Sequence, residues 1–531
     1  MMGKMKEVCS VLSLLCTFVG VVNSFSVAPS SVVSKSSSRI LLKAHPSDFT
    51  SIKEGEELPD EVDVVVIGSG LAGLSCAALL AHGTKKNVLV LESHDAVGGA
   101  AHSWTRRGFH FESGPSLYSG FSTEESPNPL KNVFQIVGKE YEPEWITYDR
   151  WGTVMPNGDK FAAKIGPEEF DDVLLQQGGK EASVEFAGLM KRMEPLSQAA
   201  QALTSMALRE DAGAIFTLGR YPVELFQTLK QGQALNDPFI KIMDEMELKS
   251  DFVKNWLDML CFLLQGLPAA GTMNAVMAYM LADWYRPGVV LDYPRGGSGA
   301  ITASLARAVE GSTRGRVAVN SPVAQIITDG NGRASSVQLA SGKVIRAKEA
   351  IVSNADPTIT HKLLQKSIEQ NGLTEIDKYL TDMRTETEQL KSFIHIHAAI
   401  DATGLPEEAS ADFPAQWAVV RNWEAGVEAP RNIVLCSMPS LIDDTMTSTE
   451  NTHVLHAYVP ATEPYDDWSQ WKDDRQNPEY LKKKDEAADF LWSAIEEYVP
   501  NARDRVIPGT LQIGTPLTHE RFLRRTQGAY G

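Results

Sequence analysis

The spacing of apolar positions predicts a parallel sheet near the start of the chain. Residues 64–67 are an unbroken run of valine and isoleucine, which is typical of a strand buried on both faces. Residues 71–82 are mostly small and apolar and predict a helix, and residues 88–91 predict a second buried strand. A strand, a helix and a strand in direct succession indicate a βαβ unit.

Glycines follow the first of these strands in the spacing G-x-G-x-x-G. Gly68 can form the tight turn, Gly70 lets a phosphate approach the backbone, and Gly73 lets the helix pack closely on the sheet. Glu92 ends the second strand about 20 residues later, where a carboxylate accepts hydrogen bonds from ribose hydroxyls and repels the 2′-phosphate of NADP. The alternative is a glycine turn that serves helix packing alone. The predicted dinucleotide contacts are Gly68, Ser69, Gly70, Leu71, Ala72, Gly73, Glu92 and Ser93.

The later part of the chain alternates between two patterns. Residues 128–283 are mainly helical in pattern, with apolar positions three and four residues apart in 252–265 and 273–285. A strand-rich pattern follows and leads to a last helix. After residue 283 the predicted elements are helix 301–310, strands 317–327, 336–339 and 350–353, the strand-rich region 392–459, and helix 482–498. The chain is therefore predicted to cross several times between a dinucleotide domain and a substrate domain.

Composition limits the classes of function. The 531 residues are 43% hydrophobic, enough for a sizeable core, and the net charge of −18 excludes an electrostatic footprint for nucleic acid. After the leader, the chain has no uninterrupted apolar stretch long enough for a spanning helix. Any membrane contact would therefore be peripheral, and because the negative charge repels anionic lipid it would be apolar. Cys76, Cys261 and Cys436 are widely separated and are interpreted as buried thiols.

The first 47 residues have the composition of a targeting leader. Residues 1–24 combine Lys4 and Lys6 with an apolar run and small residues, which is typical of a signal peptide. Residues 25–47 carry three basic residues, no acid and many serines, which is typical of a transit segment. Signal followed by transit predicts delivery to a plastid behind extra membranes, and the junction N-S-F-S-V-A-P resembles the cleavage motif of algae with secondary red plastids. A plain secreted protein is the alternative.

A second glycine pair, Gly98 and Gly99, stands in the stretch V-G-G-A-A-H-S. This stretch resembles the second flavin motif, R-x-G-G-R-x-x-S, of the superfamily of phytoene desaturases and FAD-dependent amine oxidoreductases, with Ser103 as its hydroxyl. Ala100 stands where many members carry arginine, which is a departure from that pattern. Soluble NAD dehydrogenases have no need of the second pair, so the resemblance implies FAD as the cofactor.

Four further stretches resemble the plastid carotenoid (prolycopene) isomerase-like branch in the same order. They are 108–120 (GFHFESGPSLYSG), 293–299, 350–356 (AIVSNAD) and 514–531. The resemblance covers nearly everything after residue 60. It implies that the 112–116 turn lies near the flavin ring and that the strand around Val323 contacts the adenine. The FAD contacts that rest on the resemblance are Gly98, Gly99, Ala100, His102, Ser103, Gly114, Pro115, Ser116 and Val323.

The expected fold class is α/β, with a Rossmann-type, glutathione-reductase-like FAD-binding domain interleaved with a mixed α+β substrate domain. The expected bounds are signal peptide 1–24, transit segment 25–47, FAD domain 60–125 and 289–365, largely helical substrate domain 126–288, its second part 366–510, and the start of a C-terminal FAD segment 511–531. Because members of the resembled family continue past G-A-Y-G, we expect the chain to be C-terminally truncated.

The resemblance implies cis–trans isomerisation of a carotenoid polyene, with carotene desaturation as the alternative. The chemistry is expected on the flavin, so no catalytic side chain is predicted, and the electron partner is not indicated. A carotene has no polar group for a protein to bind, so an apolar channel lined from 252–285 is expected, although the same positions suit ordinary core. A non-catalytic lipid or pigment carrier on the same fold and an amine oxidase are the alternatives of other kinds.

Histidine spacing raises the question of a metal. His395 and His397 alternate on a predicted strand and so share a face, whereas His453 and His456 are three residues apart and point to opposite faces. Four converging histidines are therefore not expected, and no metal site is predicted.

Overall fold

The computed structural model describes residues 45, 47–49, 57–113, 117–123, 126, 128–205 and 231–530. The predicted signal peptide and nearly all of the predicted transit segment lie outside these residues. The described residues group into two compact units. One contains Ser119–Lys131 and Lys164–Val290, and the other contains His45–Tyr118, Asn132–Ala163 and Leu291–Gly531.

The elements are numbered here in chain order. The strands are β1 (Glu61–Ile67), β2 (Val88–Leu91), β3 (Ser103–Arg106), β4 (Phe109–Glu112), β5 (Tyr118–Ser119), β6 (Trp145–Tyr148), β7 (Arg150–Val154), β8 (Lys160–Lys164), β9 (Leu291–Pro294), β10 (Gly315–Ala318), β11 (Val323–Thr328), β12 (Ala334–Leu339), β13 (Val344–Ser353), β14 (Ser392–Asp401), β15 (Gln416–Val420), β16 (Ile433–Ser437), β17 (Thr452–Glu463) and β18 (Gln512–Gly514). The α-helices are α1 (Leu71–Gly83), α2 (Pro129–Val137), α3 (Pro167–Ser205), α4 (Ile240–Glu245), α5 (Asp251–Gln265), α6 (Asn274–Trp284), α7 (Ser298–Gly311), α8 (Pro357–Asn371), α9 (Thr374–Glu386), α10 (Asp466–Ser469), α11 (Pro478–Ile495) and α12 (Pro516–Leu523).

A mostly parallel sheet forms the first layer of the larger unit. Within the described residues its strand order is β10-β2-β1-β13-β12-β11. The first four strands run parallel, with Val65 paired to Leu89 on one side and to Ile351 on the other. Val65 and Leu89 are fully buried, as expected for strands covered on both faces. The predicted βαβ unit is confirmed.

The predicted strand over 317–327 is corrected to two strands, β10 and β11. They lie at opposite edges of the sheet, since β10 pairs with β2 and β11 pairs with β12. Two residues between them interrupt a strand, because Asn320 has φ +51° and Pro322 has no N–H to donate. The chain leaves the sheet there and returns at the far edge.

A second sheet in the same unit has the order β18-β14-β17-β16-β15-β7-β8 among the described residues. The region 128–283 was predicted to be mainly helical, but β6, β7 and β8 fall within it, and β7 pairs with β15. Each of those strands has only four or five residues. The alternation of apolar and polar positions is therefore too short to distinguish them from the helical pattern around them. The helix predicted over 482–498 is observed as α11, beginning at the Asn477 cap and Pro478. It buries Leu491 and Trp492 in the hydrophobic core of this sheet.

The smaller unit is helical. The predicted helices 252–265 and 273–285 are confirmed as α5 and α6, and α5 is bounded by a Ser250 cap and by Gly266 in the left-handed conformation. The centroid of the Phe170 ring lies 5.3 Å from that of Trp256 and 4.8 Å from that of Tyr285. These side chains form packed core, which favours the core interpretation at these positions over a channel wall.

Within the described residues, no helix has the length and hydropathy needed to span a bilayer.

The close packing of α1 on its preceding turn can be tested at Gly73. A Cβ at this position would lie 2.3 Å from the backbone oxygen of Gly68, closer than real Cβ contacts. We expect Gly73→Ala to destabilise the fold by about 1–3 kcal/mol through overpacking. Gly330→Ala is the matched control, because its Cβ would meet open space. Urea denaturation measures both, and equal midpoints for the two variants would contradict this packing.

Candidate functional site

A cavity of about 960 Å³ opens where β1, β2 and β13 end. The carboxyl edge of a parallel sheet is the usual place for a ligand in α/β folds. Its walls are residues 67–72, 91–94, 96, 98–102, 322–323, 354–356, 359, 362–363, 472, 475, 517 and 520–526. The volume is in the range of natural ligand sites.

The first glycine turn directs the start of α1 into this cavity. Gly68 has φ +93°, a conformation that favours glycine. Gly70 precedes the helix without a side-chain cap, and in this described segment no acid occupies the first turn. Gly70, Leu71 and Ala72 line the cavity, so the free N–H groups of the first turn face it. Together with the helix dipole, these groups form a site that fits a pyrophosphate.

Glu92 is held rigidly at the end of β2. Its Oε2 accepts hydrogen bonds from the Ser69 backbone N–H at 2.9 Å and from the Ser69 hydroxyl at 2.6 Å. Its Oε1 accepts bonds from the His94 N–H at 2.8 Å and the Ser93 hydroxyl at 3.2 Å. These four bonds use the four acceptor positions of a carboxylate. A ribose hydroxyl would therefore take the place of the Ser69 or Ser93 hydroxyl, each of which can rotate away.

The second glycine pair packs against the first turn. Gly98 donates its N–H to the Ser69 carbonyl oxygen at 3.0 Å. A Cβ on Gly99 would lie 3.2 Å from the Gly70 Cα. Gly98 has φ +124° and Gly99 has φ +57°, so both occupy conformations that favour glycine. Two glycine turns in contact leave backbone as the cavity floor.

The structure places most of the predicted FAD contacts on the cavity wall. Those residues are Gly68, Ser69, Gly70, Leu71, Ala72, Glu92, Ser93, Gly98, Gly99, Ala100, His102 and Val323. Gly73 lies beneath the turn, against the Gly68 carbonyl. The Ser103 hydroxyl is away from this wall and accepts a hydrogen bond from the Gly299 N–H at 3.0 Å, at the start of α7. Gly114, Pro115 and Ser116 lie outside the described residues.

Sequence reasoning assigned 289–365 and 511–531 to the FAD-binding part of the fold but, apart from Val323, named no contact residue in the part of the wall that they supply. Asn354 donates its backbone N–H to the Ile67 carbonyl, and its side chain lies over Gly70. Asp356 accepts a hydrogen bond from the Thr526 N–H at 3.0 Å, which joins the end of β13 to the end of α12. The stretches 350–356 and 514–531 were noted for their resemblance, but their spacing carried no signal of a role.

A buried carboxyl group lies at the start of α7. Glu112 is 2% exposed and accepts hydrogen bonds from the Ser298 N–H at 2.6 Å and the Tyr293 hydroxyl at 2.9 Å. Burial raises the pKa of Glu112 to about 7, while those two hydrogen bonds lower it. The group therefore changes charge near neutral pH.

Histidines converge on one face of the second sheet. His397 on β14 lies opposite His456 on β17, and their rings stack with centroids 4.1 Å apart. The expectation that these histidines do not converge is therefore wrong for His456, because the strand register, unknown from sequence, sets it beside His397. It holds for His453, whose ring nitrogens contact the Ser440 hydroxyl and the Pro406 carbonyl.

The converging imidazoles are neutral at neutral pH. Burial is the main cause that lowers the pKa of His397 to about 4. Burial, followed by neighbouring histidines, also lowers the pKa of His395 and of His456 well below the usual range.

The buried Glu112 carboxyl predicts a pH dependence of stability. Between its ordinary pKa of 4.5 and the raised value of about 7, the folded chain keeps a proton that the unfolded chain releases. The stability contributed by Glu112 is therefore full below pH 4.5 and falls as pH rises to about 7, by about 3 kcal/mol in total. Glu112→Gln keeps the shape without titrating. Urea denaturation of both proteins across this range should give a wild-type minus variant difference that declines with pH, and a constant difference would contradict the buried acid.

Comparisons with known proteins agree with this geometry. The model of the flavin containing amine oxidoreductases matches residues 71–503. Chloroplastic prolycopene isomerase of Daucus carota is 28% identical over 479 residues, which cover 89% of this chain and 72% of that protein. All-trans-retinol 13,14-reductase of Danio rerio is 23% identical over 514 residues, covering 90% and 79%.

Solved structures support the fold. A putrescine oxidase variant aligns with a TM-score of 0.53 at 14% identity, covering 88% of this chain and 87% of that one. The predicted Rossmann-type FAD-binding fold and the predicted cofactor, FAD, are confirmed. The chain belongs to the flavin-containing amine oxidoreductase family and is an FAD-dependent enzyme.

Proposed function

We propose that this protein isomerises a double bond of a carotenoid polyene from cis to trans, without net oxidation or reduction. The observation that carries the proposal is the likeness to carrot prolycopene isomerase over 89% of the chain, joined to a cavity whose residues fit FAD. The family alone does not select this reaction, because its members act on many substrates.

The chain's own residues would hold FAD in a fixed position. The N–H groups at the start of α1 would bind the pyrophosphate, and Glu92 would bind a ribose. When bound and reduced, the flavin would supply the electron density that lowers the order of one double bond of the polyene and so permits rotation. Such chemistry would need no acid or base from a side chain, so the role of the protein would be to bind and orient the flavin and the polyene.

The substrate is proposed to be a carotenoid or another long apolar polyene. Binding would come from buried apolar area, at about 25 cal/mol per Å². Of the apolar residues on α5 and near α6, Leu264 and Met273 keep 38% and 40% of their surface exposed. They remain candidates for substrate contact, whereas their buried neighbours are core. The net charge of −18 argues against binding to nucleic acid or anionic lipid, so any contact with membranes would be apolar and peripheral.

The proposed location is the plastid. The carrot relative is named as chloroplastic, and the leader composition is typical of a signal peptide followed by a transit segment. A secondary plastid is the finer proposal, and it rests on the leader alone.

Reduction of a polyene double bond is the second candidate function. It is supported by the likeness to all-trans-retinol 13,14-reductase of Danio rerio. Desaturation, proposed from sequence, is the third, and a pigment carrier on the same fold is the fourth. Reduction and desaturation change the mass of the pigment in opposite directions, isomerisation changes only its geometry, and a carrier leaves it unaltered.

A single assay separates these functions. The FAD-loaded protein is incubated with a poly-cis carotene, with and without a chemical reductant of the flavin, and the pigments are analysed by chromatography and mass spectrometry. We expect a trans isomer of unchanged mass. A product with two added hydrogens would favour the reductase, a product with two fewer the desaturase, and unchanged pigment under every condition the carrier.

The role of the first glycine turn can be tested at Gly70. Its Cβ would meet only the flexible Asn354 side chain, at 2.9 Å. Gly70→Val should therefore leave the fold intact while its side chain fills the space for a phosphate. We expect bound flavin per chain to fall at least about tenfold, a cost of about 1.4 kcal/mol or more, and isomerisation to fall with it. Gly330→Val, in open space, is the matched control, and equal flavin content in the two variants would contradict the assignment.

A further inference from the structure

Four histidines form a buried group, here called the histidine cluster. They are His395 and His397 on β14, His456 on β17 and His519 on α12. Their exposed fractions are 9%, 1%, 4% and 4%. Ring centroids lie 4.6 Å apart for His395 and His397, 4.1 Å for His397 and His456, and 4.8 Å for His395 and His519. The FAD residues assigned above do not include this cluster.

Hydrogen bonds determine which nitrogens of two rings carry the proton. His397 Nε2 lies 2.8 Å from the carbonyl oxygen of Glu112, and a carbonyl can only accept, so Nε2 carries the proton. The Ser392 hydroxyl donates its one proton to the Gly528 carbonyl at 2.5 Å and therefore accepts from His519 Nδ1 at 3.1 Å. The other nitrogen of each ring, His397 Nδ1 and His519 Nε2, is then the one whose lone pair is available to a metal ion.

Those lone pairs have no partner in the described part of the chain. Neither have His395 Nδ1 and both ring nitrogens of His456. A buried polar atom without a partner lowers stability, and such atoms are rare in native proteins. Several in one place indicate that a ligand satisfies them together.

The cluster also has the outer arrangement of a metal site. A histidine that binds a metal through one nitrogen usually donates its other N–H to a carbonyl or another fixed acceptor. His397 does this with the Glu112 carbonyl, and His519 does so with the Ser392 hydroxyl. Neutral imidazole suits zinc, copper, iron and nickel ions as a ligand.

We propose that the histidine cluster binds one divalent transition-metal ion of this class, with His395, His397 and His456 as ligands. Their ligand atoms lie within 4.8 Å of one another, and two nitrogens on one zinc ion lie at most about 4.2 Å apart. His456 can close this gap, because neither of its nitrogens is bonded. Rotation of its ring also ends the parallel stacking on His397, so that both rings can point at one ion. His519 lies beside this group, with Nε2 available as a fourth ligand. Metal binding here does not depend on the polyene reaction.

Metal content tests the proposal directly. The full-length, untagged, FAD-loaded protein is incubated with Zn²⁺, desalted and analysed for zinc and protein. We expect about one zinc per chain in the wild type and at least a tenfold weaker retention in His456→Gln. The matched control is His453→Gln, on the same strand, whose ring already has partners on both nitrogens, and it should retain zinc as the wild type does.

X-ray absorption at the zinc edge gives a second readout that needs no variant. The wild type should show at least three imidazole nitrogens at about 2.0–2.1 Å from the zinc. Zinc retention far below one per chain, equal retention in the two variants, or a zinc environment of oxygen atoms would each overturn the proposal. If His456→Gln does not fold, the absorption spectrum of the wild type alone decides.

Discussion

Two glycine turns touch each other at the carboxyl edge of the parallel sheet, and the arrangement of the FAD cavity depends on that contact. Gly98 donates its N–H to the Ser69 carbonyl, and Gly99 approaches the Gly70 Cα so closely that a side chain would fill the contact. Backbone can pack this tightly only without Cβ atoms. The first turn of α1 is thereby left facing the cavity, and Ser69 joins the same turns to Glu92.

The segment after the second glycine turn connects this edge to the second sheet. In β3, Trp104 donates its indole N–H to Gln512 of β18 at 3.1 Å. In β4, the Glu112 carbonyl accepts a hydrogen bond from His397, while the Glu112 side chain binds the start of α7. One short hairpin therefore fixes the dinucleotide turns, a helix N-terminus and the histidine cluster relative to one another. Hydrogen bonds from this hairpin therefore connect the edge of the FAD cavity to the second sheet.

Much of the nucleotide half could be predicted from sequence, because its signals are local. The valine run of β1, the glycine spacing and Glu92 lie within a single βαβ unit, whose geometry fixes where each residue points. The wall supplied by Asn354, Asp356 and α12 could not be predicted in the same way, since these residues reach the cavity through the pairing of β1 with β13 and through the return of the chain after residue 510. The family resemblance assigned 350–356 and 514–531 to the FAD-binding part of the fold without naming the contact residues in them.

The histidine cluster shows a second limit of sequence reasoning. The alternation of His395 and His397 on one strand correctly predicts a shared face. His456 joins them only because β14 and β17 pair in a register that sets it opposite His397, and strand register over such a separation is not readable from a single sequence. The prediction of a single strand over 317–327 was wrong for a local reason, since Asn320 and Pro322 separate two strands that lie at opposite edges of the sheet.

The central claim is that this glycine edge holds FAD, with the pyrophosphate at the start of α1 and a ribose at Glu92. A crystal structure of the FAD-loaded protein tests it most directly. The account predicts phosphate density at the N–H groups of Leu71 and Ala72 and a ribose at the Glu92 carboxylate. FAD bound elsewhere, or a cavity that remains empty in crystals grown with saturating FAD, would contradict it.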